Sequence, residues 1–154
     1  DRAHRWLQDQ FRLRRVKKEY LALADGHPPT PNGRIEAPIG RDPIHRKQMA
    51  VLSAGKGREG ISEYYTLQTF EKHTYLKVNL LTGRTHQIRL HLAYIGCPIV
   101  GDTIYGKKHS SIPMNRHFLH AAHLEIRLPG QQTNSIFDAP LPDELQKIIS
   151  RLQS

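Results

Sequence analysis

The densest chemistry in the sequence lies in residues 81–92, which run Leu-Thr-Gly-Arg-Thr-His-Gln-Ile-Arg-Leu-His-Leu. A tight turn at Gly83 leads into a helix start carrying Arg84, Thr85, His86, Gln87 and Arg89. Free backbone N–H groups and the positive end of the helix dipole make such a start a place to hold an anion or a developing negative charge. The same pattern fits an ordinary helix whose first turn is polar because it meets solvent. Spacing alone leaves both open.

Other chemistries have less support. His117, His120 and His123 recur every third residue, but on a strand His120 points away from the other two, and no acid or Cys stands at zinc-site spacing. No metal is expected there. His86 and His91 lie five apart, too far round a helix to share a face. There is no G-x-S-x-G elbow, and Cys97 precedes a proline rather than opening a helix. The Gly55-x-Gly57-x-x-Gly60 spacing leads into a strand-like run, so it is not a dinucleotide fingerprint. No cofactor is expected either.

The elements that must position these residues follow from periodicity. Asp1 is placed to cap a helix over residues 2–14 that puts Trp6, Leu7 and Phe11 on one side. Residues 16–24 turn apolar on both faces after Glu19, as an interior strand does. Prolines 28, 29 and 31 with Asn32 and Gly33 force a loop, residues 35–39 return as a short strand, and residues 40–47 form a charged loop. Residues 61–70 and 74–80 pair as a hairpin, with Leu76, Val78 and Leu80 on one face. Thr85 is placed to cap a helix through Ile95 that turns Ile88, Leu92 and Ile95 inward and stops at Gly96. After a loop over 107–117, a strand from Phe118 alternates Phe118, His120, Ala122, Leu124, Ile126 and Leu128 against Leu119, Ala121, His123, Glu125 and Arg127. A last helix over 143–152 presents Leu145, Ile148, Ile149 and Leu152. Strands outnumber helices and come as hairpins. The expected class is α+β, a mixed and largely antiparallel sheet with flanking helices, in one domain spanning residues 1–154.

At 154 residues and 38% hydrophobic, the chain is long enough to bury a core and is not a disordered tail. Lys and Arg number 23 against 14 Asp and Glu, a formal +9 with His neutral. The excess is +10 over residues 1–120 and −1 beyond. Polyanions are the expected partners, nucleic acid first and an anionic membrane surface second. The run Arg12, Arg14, Arg15, Lys17, Lys18 is by default a solvated face. A single cysteine excludes an internal disulfide and suits a reducing cytosol. No apolar run approaches the roughly twenty residues that span a bilayer, and the first residues are neither a signal nor a transit peptide. A soluble, cytoplasmic protein is expected.

Several segments resemble one family. The string T-G-R-T-H-Q-I-R-L-H-L, followed by G-x-P-I-V-G-D-T-I-Y-G at residues 96–106, is similar to the RluA-like family of RNA pseudouridine synthases. So are Val16-x-Lys18-x-Tyr20, the Ile39-Gly40-Arg41-Asp42-Pro43 segment with Arg46, Lys47 and Met49, and Phe118-Leu119-His120-Ala121. The segments run in order over residues 1–145. Together they are specific where each alone is weak.

The resemblance implies a mixed sheet with a cleft across it. It also implies a reaction that detaches uracil from C1′, turns it and rejoins it through C5, without metal or cofactor. In that family a carboxylate attacks the nucleoside, an Arg of the T-G-R-T-H-Q-I-R segment pairs with it, and the Tyr of K-x-Y stacks on the base. Those roles fall on Arg89 and Tyr20. The candidate RNA contacts are Lys18, Arg41, Arg46, Lys47, Arg84, Thr85, His86 and Gln87. The family's catalytic Asp belongs to an H-R-L-D-type motif upstream of its first helix, which this chain does not match. Asp42 and Asp102 stand in other motifs. The chain is therefore expected to be the N-terminally truncated, later part of the catalytic domain and inactive alone. Its expected partner is structured ribosomal or transfer RNA, and a monomer is expected. The alternatives are a non-catalytic basic RNA-binding module and a small ribosome-associated structural protein. Their support is charge.

Overall fold

The computed structural model describes residues 1–154. Three helices, α1 (Arg2–Arg12), α2 (Gln87–Tyr94) and α3 (Asp143–Gln153), accompany eight strands. These are β1 (Lys17–Asp25), β2 (Asn32–Glu36), β3 (Ile39–Arg41), β4 (Met49–Val51), β5 (Ile61–Thr69), β6 (His73–Leu80), β7 (Leu119–Ile126) and β8 (Ser135–Asp138). Six strands form one sheet in the order β2-β5-β6-β1-β7-β8, and β3 and β4 form a separate pair. Every strand pairing is antiparallel. The expected α+β architecture stands, with no parallel pair in it.

The central strand is β1, held by β6 on one side and β7 on the other. Its apolar second half, Ala22, Leu23 and Ala24, is fully buried, so both sheet faces must be covered. Directly opposite residues share a face. In register, Ser62, Leu80, Lys18 and Leu124 line up across the sheet, and so do Tyr64, Val78, Tyr20 and Ala121. That face carries α2, because Ser62 bonds to His91 of the helix. The opposite face holds Leu23 and Tyr75, where Phe118 meets Tyr75 edge to face at 6.1 Å. There α3 buries Leu145, Ile148 and Ile149, and its Gln153 reaches Gln68.

Two details depart from the expected pattern. β7 slips by one residue opposite Glu19 and Tyr20, so Ala122 has no partner on β1. A bulge reverses the alternation on one side of it. Leu119 therefore joins Leu124 on the α2 face, and His120 turns to the other face with His123 instead of lying beside Leu124. His120 donates to the Ala139 carbonyl and His123 pairs with Asp138. Residues 40–47 are not wholly loop, since Ile39–Arg41 pairs with Met49–Val51.

Where β7 leaves β1, residues 98–100 take its place. Val100 donates to the Leu23 carbonyl, Asp25 to that of Pro98 and Phe118 to that of Val100. This buries Cys97, Ile99 and Val100 completely, and burial pushes the Cys97 thiol up to about 11. The next residue, Gly101, has φ +83°, and a Cβ there would lie 2.4 Å from the Arg116 carbonyl oxygen. Gly130 has the same φ with nothing within 4 Å of that position. Left-handed backbone costs an L-residue about 1–2 kcal/mol. Gly130→Ala should therefore lower stability by about that amount in urea unfolding, whereas Gly101→Ala, with backbone in the way, should exceed it. Equal midpoints for the two would contradict this packing.

Candidate active site

Site geometry begins with how α2 is entered. Gln87 is 2% exposed, and its amide is bonded on every side. Its Oε1 accepts from the Thr82 hydroxyl and the Arg84 N–H, while its Nε2 donates to the Ile61 carbonyl and Ser62 Oγ. Ser62 in turn donates to His91 Nδ1, and His91 Nε2 donates to the Ala37 carbonyl at 3.0 Å. These bonds fix the His91 tautomer, and burial holds its pKa below the ordinary value despite the Ala37 bond. Thr85, placed from sequence as the cap, makes no capping bond. The N-cap is His86, in the left-handed region at φ 58° without a side-chain cap bond. Gln87 instead ties the turn before the helix to β5 from inside the protein, so the expected RNA contact at Gln87 lies in the interior.

The chain in this shape presents Arg89, whose side chain is 11% exposed, to Asp102, which is 1% exposed. Nε lies 2.8 Å from Oδ2 and Nη2 lies 3.0 Å from Oδ1. Oδ1 also accepts from the N–H groups of Ile104 and Tyr105. Burial alone would raise the Asp102 pKa, but the Arg89 bond and the two backbone N–H groups hold it below the usual range. The Asp102 hydrogen bond raises the Arg89 pKa. Tyr105 lies over the Arg89 guanidinium at 4.9 Å. Its hydroxyl accepts from Met49 N–H and donates to His86 Nδ1 at 2.8 Å, consistent with a His86 pKa depressed first by burial and then by Arg89. His117 is depressed likewise, by burial first and Arg89 next. Of the five guanidinium N–H groups, Asp102 engages Nε and one on Nη2. Nη1 remains available for a second anion.

Arg89 thus stands with Asp102, a partner that spacing did not point to. Tyr20 is half-buried on the sheet face that carries α2. Burial raises its pKa, and its hydroxyl has no partner within the chain. Lys18, two residues earlier on the same face, lies over the Phe11 ring at 4.6 Å. Burial lowers its pKa. It lines a cleft of about 810 Å³ together with Arg14, Arg58 and Arg84. Arg41, Arg84 and Thr85 line a second cleft of about 510 Å³. Arg58, Gly83 and Arg84 belong to both. Arg46 and Lys47 are exposed on the β3–β4 connection and line neither. Sequence reasoning missed Tyr105, Lys56 and Arg58 as site residues. The G-D-T-I-Y-G string was the available signal for Tyr105, and two cations within a glycine-rich loop were the signal for the others.

The sequence pattern of the family described as RNA pseudouridylate synthase matches residues 1–94. Over 153 residues the chain is 48% identical to an uncharacterized RNA pseudouridine synthase of Chloroflexus aurantiacus, covering 99% of this chain and 48% of that protein. It is 38% identical to ribosomal large subunit pseudouridine synthase D of Pseudomonas aeruginosa, over 98% of this chain and 50% of that protein. The chain spans about half the length of the curated relatives it matches. Among solved structures, human RNA pseudouridylate synthase domain containing 1 superposes with a TM-score of 0.75 at 26% identity, over 97% of this chain and 70% of that one.

Two outcomes follow from this geometry. Asp102→Ala strands a buried guanidinium, and losing one member of a buried pair costs about 3–5 kcal/mol, readable in chemical unfolding. For His91 and His73, burial depresses the folded pKa, so below the ordinary value of 6.5 the unfolded chain takes up protons that the folded one refuses. Stability is then full above that pH and falls as the medium becomes more acidic. His123, raised first by its bond to Asp138, acts with the opposite sign. The melting temperature should fall on acidification below pH 6.5, and His91→Gln should flatten the slope. A melting temperature that rose on acidification would contradict the buried neutral imidazoles.

Proposed function

This chain belongs to the RNA pseudouridylate synthase family, and we propose that it forms the later part of a catalytic domain that isomerises uridine in ribosomal or transfer RNA. The observation that carries this reading is the buried Arg89, fixed side-on by Asp102 and roofed by Tyr105, with Nη1 left over. A guanidinium so held can aim a second carboxylate and keep it ionised, which a lysine ammonium would do poorly.

In this reading the second carboxylate is the nucleophile, supplied by sequence outside this chain. Asp102 is no substitute, because it is buried beneath the turn with two backbone N–H groups on Oδ1, out of reach of a nucleoside. The carboxylate oxygen bonds to C1′ as the N1–C1′ bond breaks, the base turns, C5 bonds to C1′ as the carboxylate leaves again as an anion, C5 gives up its proton and N1 gains one. Substrate and product are isomers, so the balance needs no redox partner. The target uridine has to leave its stack, and the Tyr20 ring offers the base a flat apolar surface. Lys18, Arg41, Arg46, Lys47, Arg84, Thr85 and His86 are proposed to meet the phosphate backbone. For Gln87 the proposed role is positioning. Three of the relatives above 30% identity are named for the large ribosomal subunit, which favours ribosomal RNA as the first substrate to test.

The chain alone is proposed to bind RNA without converting uridine. Release of tritium from C5-labelled uridine in ribosomal RNA should be absent with residues 1–154 and present with a longer product of the same gene that includes the upstream carboxylate motif. In the longer protein, Arg89→Ala should lower kcat by about 10²-fold or more, as loss of a charge-stabilising group does, and Arg89→Lys should not restore it. Undiminished turnover in the Arg89→Ala protein would overturn the assignment. No turnover by the longer protein on ribosomal or transfer RNA would favour the non-catalytic RNA-binding module.

A further inference from the structure

The cleft of about 510 Å³ between the 55–58 loop and the 83–85 turn has Arg41, Lys56, Arg58 and Arg84 in its lining and no Asp or Glu. Lys56 and Arg58 are exposed, and neither side chain has a hydrogen bond or ion pair within the chain. Other cations of the adjoining cleft are engaged: Arg12 with Asp9 and Arg14 with Glu59. The Arg84 pKa is lowered first by burial and then by Arg58, with Arg14 adding to it and only Glu59 opposing. Such crowding of like charge is costly and is relieved by an anion.

The cleft is also shaped for a bulky anion. Gly55 and Gly83 leave it without side-chain cover. A Cβ at Gly55 would have nothing within 4 Å, and one at Gly83 would meet only Lys18 Nζ at 3.8 Å. A ligand can therefore approach the backbone closely. Its wall includes Met49, whose N–H donates to the hydroxyl of Tyr105, the ring over Arg89. One end of the cleft thus adjoins the Arg89 site.

We propose that this cleft is a seat for the RNA phosphodiester backbone beside the nucleotide presented at Arg89, with Lys56 and Arg58 as its uncommitted cations. The proposal rests on the RNA reading above and adds two residues and a path to it. A concave seat suits a strand of phosphates, whereas a flat anionic surface would reach only its rim.

The test is the salt dependence of binding to a fluorescent uridine-containing stem-loop RNA, between about 50 and 200 mM salt. Removing a cation that neutralises one phosphate lowers the slope of log K against log salt by about 1. Replacing Lys56 and Arg58 together by Ala should therefore weaken binding and flatten the slope by about 2. Replacing Arg2 and Arg5 of α1 by Ala removes the same charge elsewhere and should leave the slope unchanged. Exposed, unbonded side chains should tolerate replacement, and a Gln pair serves if the Ala pair melts early. An unchanged slope for the Lys56 and Arg58 pair, or equal flattening by the Arg2 and Arg5 pair, overturns the seat while the RNA reading stands. Failure of the unaltered chain to bind the RNA overturns both.

Discussion

The buried pairing of Arg89 with Asp102 is the constraint on which the site depends. Two charges taken out of water cost several kcal/mol each unless good geometry and further hydrogen bonds return it. Here the return is nearly complete. Asp102 accepts from the guanidinium and from two backbone N–H groups, and Tyr105 packs on the guanidinium's flat surface. The pair works only if residues 101–106 turn tightly beneath α2. That requires a glycine at 101, where the backbone is left-handed and Arg116 lies in contact. It also requires Gly106, since a Cβ there would stand 2.7 Å from the Asp102 carbonyl oxygen. The motif's glycines and its ion pair answer one geometric demand.

The second demand is that the residues leading into α2 hold a shape no ordinary cap would give. Gln87 draws the 82–84 backbone onto β5, and Ser62 and His91 carry the same chain of bonds to Ala37. Half-satisfied buried networks are worse than apolar ones, and this one leaves no polar atom of Gln87 unpaired. Its consequence is felt outside. With the inner side of the turn spoken for, Gly83, Arg84 and Thr85 face the clefts, and His86, forced left-handed, reaches Tyr105. One element therefore orients two guanidinium groups, Arg89 toward Asp102 and Arg84 toward the clefts.

Where pattern is local, the sequence was legible. The β5–β6 hairpin, α3 with its three buried aliphatics and the stop of α2 near Gly96 all follow from period and turn chemistry. What was not legible depends on partners distant in the chain. The bulge opposite Glu19 and Tyr20 inverts the faces of residues 118–121, and alternation within one strand carries no sign of it, because the cause is the register with β1. Thr85 had the right type and position for a cap, but the helix starts one residue later, with His86 left-handed at the cap position and the Gln87 N–H already bonded to the Arg84 carbonyl. Arg89 and Asp102 were each visible within motifs. That they meet is a property of the 96–106 turn, whose path depends on residues 98–100 pairing with β1.

The charge excess can be placed by the same reasoning. A basic run is most often a solvated face, and Arg12 and Arg14 fit that description, each paired with an acid. Lys56, Arg58 and Arg84 do not, because they converge on a concavity whose lining holds no acid. Low-dielectric walls focus the field in such a place. Arg58, Gly83 and Arg84 are common to both clefts, so a polyanion lying in the second can continue past Arg84 toward Lys18, which shares its sheet face with Tyr20. In the larger cleft Asp9 and Glu59 are paired with Arg12 and Arg14, which leaves Lys18, Arg58 and Arg84 as its cations without a carboxylate partner. The positive charge is thus gathered along two adjoining clefts that share Arg58, Gly83 and Arg84, which a uniformly basic surface would not supply.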